Sequence, residues 1–385
     1  MKPSRQPNQI SAFAVTAPGL EAICAAELAT LGIRGKAQDG GVAWTGTLES
    51  IAKANLWLRT ASRVIVRVAE FRATAFFELE LQAKKIPWTR FVARGTRVGF
   101  RVTCRKSKLY HSDAVAERFA AAVSRVPGVV TETTKASDDD DSGGGLERQL
   151  FIVRFVHDVC TVSVDTSGAL LHRRGYRQQL AKAPLRETLA AAILLGAGWT
   201  GDVPFDDPMC GSGTIPIEAA LIARRIAPGI HRDFAFQRWP DFDPEVWTSL
   251  VAEARASELP RSPVEIHGAD RDAGAIDAAR ANAERAGVAG DVQLDVQPVS
   301  ALADRDAPGL IASNPPYGVR VGEADRLRNL YAQFGNVVRS RRDGWTVALL
   351  TSDRQLERQT GLDLEERFRT KNGGIPVHLV TALVD

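Results

Sequence analysis

Three short runs in this 385-residue sequence combine residue types that could do chemistry. The first is Asn314-Pro315-Pro316-Tyr317-Gly318. Two prolines fix the backbone and supply no N–H groups. The Asn314 side-chain oxygen and the Pro315 carbonyl can then accept together from one exocyclic amino group. Tyr317 offers a flat face for a base turned out of its stack. The plainer reading is a rigid turn. The second run is Asp207-Pro208-Met209-Cys210-Gly211-Ser212-Gly213-Thr214. Its glycines let the backbone approach a ligand, and a helix N-terminus with free N–H groups follows. A phosphate loop or a structural turn would read the same way. The third is Asp270, at the end of an apolar run, where a carboxylate can accept both hydrogen bonds of a ribose diol. A helix-capping role for Asp270, or for the neighbouring Asp272, is the competing reading. The glycine spacing fits neither the dinucleotide fingerprint nor the Walker A loop.

These runs need elements to position them. Val203–Asp207, Val264–Asp270, Val292–Val296, Leu310–Ser313 and Trp345–Leu350 read as strands, with helices predicted from about Ile215 and over Ala273–Ala286. Repeated strand-then-helix units predict a doubly wound, mainly parallel sheet, with the three runs at successive strand ends. The front half has a different rhythm. Strands are predicted over Phe13–Thr16, Val64–Val68, Val98–Val102, Leu150–Val156 and Cys160–Val164, the last two forming a hairpin about His157-Asp158. Helices are predicted over Leu20–Leu31, with Gly32 as its C-cap, and over Ser112–Val123, with Ser112 as N-cap. This spacing suggests two small α+β units resembling ferredoxin-like folds. Residues 136–147, ASDDDDSGGGLE, read as a flexible surface loop inserted within a domain. The insertion from Pro228 to Pro263 could serve as a lid or a substrate wall.

Charge separates the halves. The net formal charge is +3, yet residues 1–175 hold 25 Lys and Arg against 17 Asp and Glu, so the rear half is acidic. Residues 84–108 carry nine basic side chains and no acid: Lys84, Lys85, Arg90, Arg94, Arg97, Arg101, Arg105, Lys106 and Lys108. Such a cluster can displace phosphate counterions, although a solvated basic face is the simpler reading. Trp88, Phe91 and Tyr110, nearby, read as core. Four scattered cysteines and six histidines show neither disulfide-framework nor metal-ligand spacing, so no metal is expected. No apolar run approaches a membrane span and the N-terminal residues show no secretory signal. A cytoplasmic location, no membrane and a monomer are the expectation.

The Asp207–Thr214 and Asn314–Tyr317 runs, taken together, resemble those of class I S-adenosyl-L-methionine-dependent amino-methyltransferases. The segment Arg174-Gly175-Tyr176-Arg177, with Ala183-Pro184-Leu185-Arg186-Glu187-Thr188-Leu189-Ala190-Ala191-Ala192, is similar to the entry into the catalytic domain of THUMP-containing RNA methyltransferases. These resemble the bacterial large-subunit rRNA guanine-N2 enzymes and their tRNA counterparts. Cys104–Ser112 looks like the basic heart of a THUMP domain. The resemblance covers nearly the whole chain. It implies a Rossmann-like methyltransferase domain over residues 169–385, preceded by a ferredoxin-like domain (1–70) and a THUMP RNA-binding domain (71–168). It implies a donor site formed by Thr188, Asp207, Pro208, Cys210, Gly211, Ser212, Gly213, Thr214, Asp270, Arg271 and Gln297. Catalysis would fall to Asn314, Pro315, Pro316 and Tyr317. RNA contacts would fall to Lys84, Lys85, Arg101, Arg105, Lys106 and Lys108, with ribosomal RNA the first substrate and tRNA the second. In one respect the chain departs from the family. The acid that usually holds the donor adenine near the third strand is replaced by Pro298, leaving Gln297 or backbone groups for that role. The rivals are a DNA or protein amino-methyltransferase and a non-catalytic RNA-binding assembly factor.

Overall fold

The computed structural model describes residues 9–133, 148–177, 185–305, 307–317 and 324–385. The 136–147 loop, Gly318, and Ala183 and Pro184 of the entry segment lie outside the described residues.

The chain divides into two units. The first comprises residues up to Thr16, Cys24–Leu171 and His231–Ala252; the second comprises Ala17–Ile23, His172–Ile230 and Glu253–Asp385. In chain order the front elements are β1 (Ile10–Thr16), α1 (Glu21–Thr30), β2 (Lys36–Gln38), β3 (Gly41–Gly46), α2 (Leu48–Trp57), β4 (Ala61–Arg72), α3 (Phe76–Ala83), β5 (Arg97–Arg105), α4 (Ser112–Val123), β6 (Val130–Thr133), β7 (Arg148–Val156) and β8 (Val159–Asp165). Their strands form one sheet in the order β2-β3-β1-β4-β8-β7-β5-β6. The two α+β units expected for the front half therefore share one sheet. The join is β4, long enough to pair with β1 along one edge and β8 along the other. Alternation explains the layers: Val98, Phe100 and Val102 of β5 and Phe151, Val153 and Phe155 of β7 are buried. Trp88 fastens this face, its ring 5.0 Å from Phe151 and 6.1 Å from Phe100. The β7–β8 hairpin turns at His157 and Asp158, both at positive φ, as expected of a tight two-residue turn.

Two details differ from the sequence reading. His111, not Ser112, is the N-cap residue of α4, and it makes no side-chain capping bond. Tyr110 is 67% exposed and lies against His111, so it is not core, whereas Trp88 and Phe91 are buried.

The rear elements are α5 (Glu187–Gly196), β9 (Phe205–Asp207), α6 (Thr214–Ala223), α7 (Pro244–Ser257), β10 (Ile266–Asp270), α8 (Ala273–Arg285), β11 (Gln293–Val296), β12 (Leu310–Ser313), α9 (Ala324–Arg341), β13 (Thr346–Thr351), α10 (Arg354–Gln359), β14 (Glu365–Asn372) and β15 (Ile375–Leu383). They form a seven-stranded sheet, β11-β10-β9-β12-β13-β15-β14. β9 to β13 run parallel, and β15 and β14 add an antiparallel edge. Every residue of β12 is buried, as are Val347–Thr351 of β13, which is why both read as unbroken apolar runs rather than alternating ones. The chain winds from β9 outward to β11 and returns to β12 on β9's other side. The order therefore reverses between β9 and β12, and a crevice must open beyond their carboxyl ends.

Candidate active site

A cleft of about 930 Å³ lies beyond the carboxyl ends of β9, β10 and β12. Its first wall is the turn between β9 and α6. Gly211 adopts φ +54° and borders open space, so a bare backbone faces the cleft there. Gly213, at φ +81°, serves a different purpose: it is the N-cap of α6, and a Cβ there would meet Ala279 Cβ at 2.9 Å. The turn is tied from below by Asn282, whose Nδ2 donates to the Ser212 carbonyl at 3.0 Å.

Asp270 stands across from this turn. Its Oδ2 accepts from the Gly211 N–H at 3.0 Å and its Oδ1 from the Asp272 N–H at 2.9 Å. These two bonds orient the carboxylate and leave each oxygen a further lone pair for a diol. The cap of α8 is Asp272, accepting from the N–H groups of Gly274 and Ala275, so Asp270 is not consumed by capping.

Asp207 forms the cleft floor. Strand alternation sends its neighbour Asp206 the other way, into a buried pair with Arg342 at 2.6 Å. Asp207 faces the cleft instead, accepting at Oδ1 from Ser313 Oγ at 2.6 Å and from the Met209 N–H at 3.1 Å. Its Oδ2 is buried with no partner among the described residues. Burial pushes its carboxyl up to about 7, against the opposing pull of the Ser313 and Met209 hydrogen bonds. An unfolded Asp titrates near 3.9. Between those values the folded chain holds a proton the unfolded chain has lost, so stability falls as pH rises from about 4 to about 7, then levels. Asp207→Asn keeps an acceptor for Ser313 and removes the titration. On moving from pH 5 to pH 8, the parent should lose more denaturant resistance than this variant. Equal losses in urea unfolding would contradict the assignment. The comparison must be between the two chains, because buried Glu187 is also pushed up to about 7.

The remaining wall is the loop after β12. Pro315 is buried, Pro316 is exposed, and Tyr317 and Asn314 are half-buried. Asn314 Oδ1 is itself buried and has no hydrogen-bond partner among the described residues. Tyr317 Oη accepts from Asn372 Nδ2 at 2.7 Å, and burial raises the phenol's pKa. Asn372 ends β14 at a turn through Gly373 and Gly374, both at positive φ, and lines the cleft together with Gly373 and Ile375.

Of the residues singled out in the sequence, Asp207, Pro208, Cys210, Gly211, Ser212, Thr214, Asp270, Arg271, Gln297, Asn314, Pro315, Pro316 and Tyr317 line this one cleft. Pro298 also lines it, and the Gln297 N–H donates to the Asp270 carbonyl. Thr188, buried on α5, and Gly213 are not among its lining. Nor does any residue of the 228–263 insertion line it. Residues 231–252 of that insertion pack within the first unit: Trp239 Nε1 donates to Gln149 Oε1 at 2.7 Å, and its ring lies 5.0 Å from Phe91. The six basic residues assigned to RNA belong to the first unit, where all but half-buried Arg101 are exposed. Sequence reading missed Ser313, Asn372 and Gln333, the last lining the cleft from α9. Among the described residues no group of His, Cys, Asp and Glu could hold a metal ion, and no helix is long and apolar enough to cross a membrane.

The residues present suit a sulfonium nucleoside donor. A bare glycine turn faces an oriented carboxylate, and a buried, unpartnered carboxyl oxygen lies on the floor. Comparison with known proteins agrees. Residues 174–381 match a family described as the RMKL-like methyltransferase domain, and residues 11–65 match the RlmL ferredoxin-like domain. A candidate RNA methyltransferase of Synechocystis sp., slr0064, is 36% identical over 96% of this chain and 95% of its own length. The ribosomal RNA large subunit methyltransferase K/L of Syntrophotalea carbinolica is 38% identical over 96% of this chain, which spans 53% of that enzyme. The crystal structure of SMU.472, a candidate methyltransferase complexed with SAH, superposes with a TM-score of 0.87 at 31% identity, covering 99% of each chain. The chain belongs to the RMKL-like methyltransferases, enzymes of the class I fold whose methyl donor is S-adenosylmethionine.

Proposed function

We propose that this protein methylates the exocyclic N2 amine of a guanosine in RNA, with large-subunit ribosomal RNA as the substrate. The observation that carries the reading is Asn314 Oδ1: a buried acceptor without a partner, at the end of β12 and inside the cleft. An exocyclic amine is a donor that such an oxygen can take. The Pro315 carbonyl is the second acceptor, and together they aim the nitrogen lone pair at the incoming methyl group. Bound S-adenosylmethionine supplies that group on a positively charged sulfur. Asp270 would hold the donor ribose, beside the bare Gly211 backbone. The donor is already activated, so catalysis is chiefly proximity and orientation. Asn314 is not a base, and the surplus proton leaves to water after transfer. The target base must leave its stack to enter the cleft, and Tyr317 fixes its plane.

RNA as the substrate is supported by the basic run over residues 84–108 and by the names of the similar proteins. We propose that residues 1–70, 71–168 and 169–385 act as ferredoxin-like, THUMP and methyltransferase domains of a cytoplasmic monomer. The test is transfer of labelled methyl from the donor to total RNA of a strain lacking this gene, followed by sizing and nucleoside analysis. Label as N2-methylguanosine in large-subunit RNA is the expected result. Label in tRNA would overturn the ribosomal assignment, and label in DNA or protein alone would overturn the RNA reading.

The Asn372–Tyr317 bond gives a second expectation. Tyr317→Phe and Asn372→Ala should each raise KM for RNA by about three- to tenfold, with donor affinity little changed, the range expected for losing one hydrogen bond. The double variant should be no worse than the weaker single, because both remove the same bond. Additive effects in steady-state kinetics would show that Asn372 does not act through Tyr317.

A further inference from the structure

The register of the first sheet brings together arginines that lie far apart in sequence. Arg72 of β4 pairs with Val159 of β8, Val159 with Val156 of β7, and Val156 with Arg105 of β5. Paired residues on adjacent strands point to the same face, so these four form one row across four strands. The next row, about 7 Å along the strands, runs Glu70, Thr161, Arg154 and Thr103. Alternation puts Phe155 and Cys160 on the opposite, buried face, so both rows look outward. Arg72, Arg105 and Arg154 are exposed. Val156 and Val159 are each 38% exposed, an uncovered apolar floor between the two end arginines.

The charges on this face are poorly neutralised. The guanidinium groups of Arg105 and Arg154 have no ion-pair or hydrogen-bond partner among the described residues. Arg72 lies 3.9 Å from Asp158 with its side chain 74% exposed, a separation at which screening leaves little attraction. Asp158 is otherwise occupied, accepting from the Lys108 N–H at 2.7 Å. Glu70 is the one acid in the two rows, and it accepts from Thr161 Oγ1 at 3.4 Å. Exposed Lys106 and Lys108 follow Arg105 in the turn that closes this corner. Flat guanidinium groups with unpaired donors suit phosphate oxygens, which they can grip in a fork. An open apolar strip between them suits the sugars of the same backbone.

We infer that the outer face of β4, β8, β7 and β5, at its His157–Asp158 corner, is an RNA-phosphate surface held by Arg72, Arg105 and Arg154. The inference rests on the RNA reading above and adds Arg72 and Arg154, which lie outside the basic run. The contacts are to phosphate, so the surface contributes affinity and salt dependence rather than base choice.

The test measures binding of a labelled oligouridylate to the full chain as a function of salt, for the parent, for Arg72→Ala/Arg105→Ala/Arg154→Ala, and for Glu70→Lys. Each phosphate contact adds about 0.7 to the slope of log K against log salt for a single strand. The triple variant should lower that slope by about 2, and Glu70→Lys should raise it by up to about 0.7, with donor affinity unchanged in both. Glu70→Lys guards against loss of fold, because it is read as a gain. An unchanged slope in both variants, or a parent that does not bind the probe, overturns the inference. Methyl transfer to RNA by the parent separates the two claims. Transfer with unchanged slopes refutes this surface and leaves the activity standing. Shifted slopes without transfer support the surface and refute the activity.

Discussion

Asn314→Ala is expected to lower turnover on RNA by at least about a hundredfold and to leave donor affinity within about threefold of the parent. The size follows from what is removed. A preorganised group aimed at a reacting atom is worth about 3–4 kcal/mol at the transition state. Asn314 has that character: β12 is buried throughout, Ser313 is anchored on Asp207, and two prolines follow. The backbone on both sides is therefore fixed, and the side-chain oxygen is held buried without satisfying any other group. Asn314→Asp retains an acceptor of the same shape but brings a charge into a cleft already holding Asp207 and Asp270, so partial activity is expected, improving as pH falls. Single-turnover kinetics with calorimetric titration of the donor checks both halves of the expectation. Lost donor binding in Asn314→Ala, or turnover above a tenth of the parent's, would refute the role.

Asp270→Ala should have the opposite signature. Its carboxylate has two lone pairs left for a diol, and hydrogen bonds to a charged acceptor are worth about 1.5–3 kcal/mol each. Donor affinity should fall by at least about a hundredfold, while turnover at saturating donor stays within about tenfold of the parent. The loss also reaches the backbone, because the Gly211 and Asp272 N–H groups lose the acceptor that holds them. Asp270→Asn, which keeps one acceptor oxygen, should fall between the two. Titration with the demethylated product measures this without any RNA. Affinity within threefold of the parent in Asp270→Ala would show that the ribose is held elsewhere.

The two variants also mark what sequence can reveal. Asn314-Pro315-Pro316-Tyr317 and the Gly211–Gly213 turn were legible because their roles demand particular residue types: prolines to fix a backbone, glycines for positive φ. The parallel strands were legible because burial on both faces makes them apolar throughout, as in Leu310–Ser313. Partners supplied by topology were not legible. Asn372 lies 55 residues beyond Tyr317 and reaches it only because β14 is the antiparallel edge. An asparagine before two glycines reads as nothing more than a hairpin turn. Trp239 meets Gln149, 90 residues earlier, only through the packing of residues 231–252 in the first unit. Arg72 and Arg154 join Arg105 through strand register, which one sequence does not display. The continuity of the front sheet was hidden for the same reason: β4 serves two neighbours at once.

The most direct measurement of the central claim is nucleoside analysis of large-subunit ribosomal RNA from three strains: the parent, one lacking this gene, and one carrying only Asn314→Ala. The account predicts N2-methylguanosine at one position in the parent and its absence from both others, with the variant protein present at normal level. Retention of every methylated guanosine in the strain lacking the gene would contradict it. So would full modification in the Asn314→Ala strain.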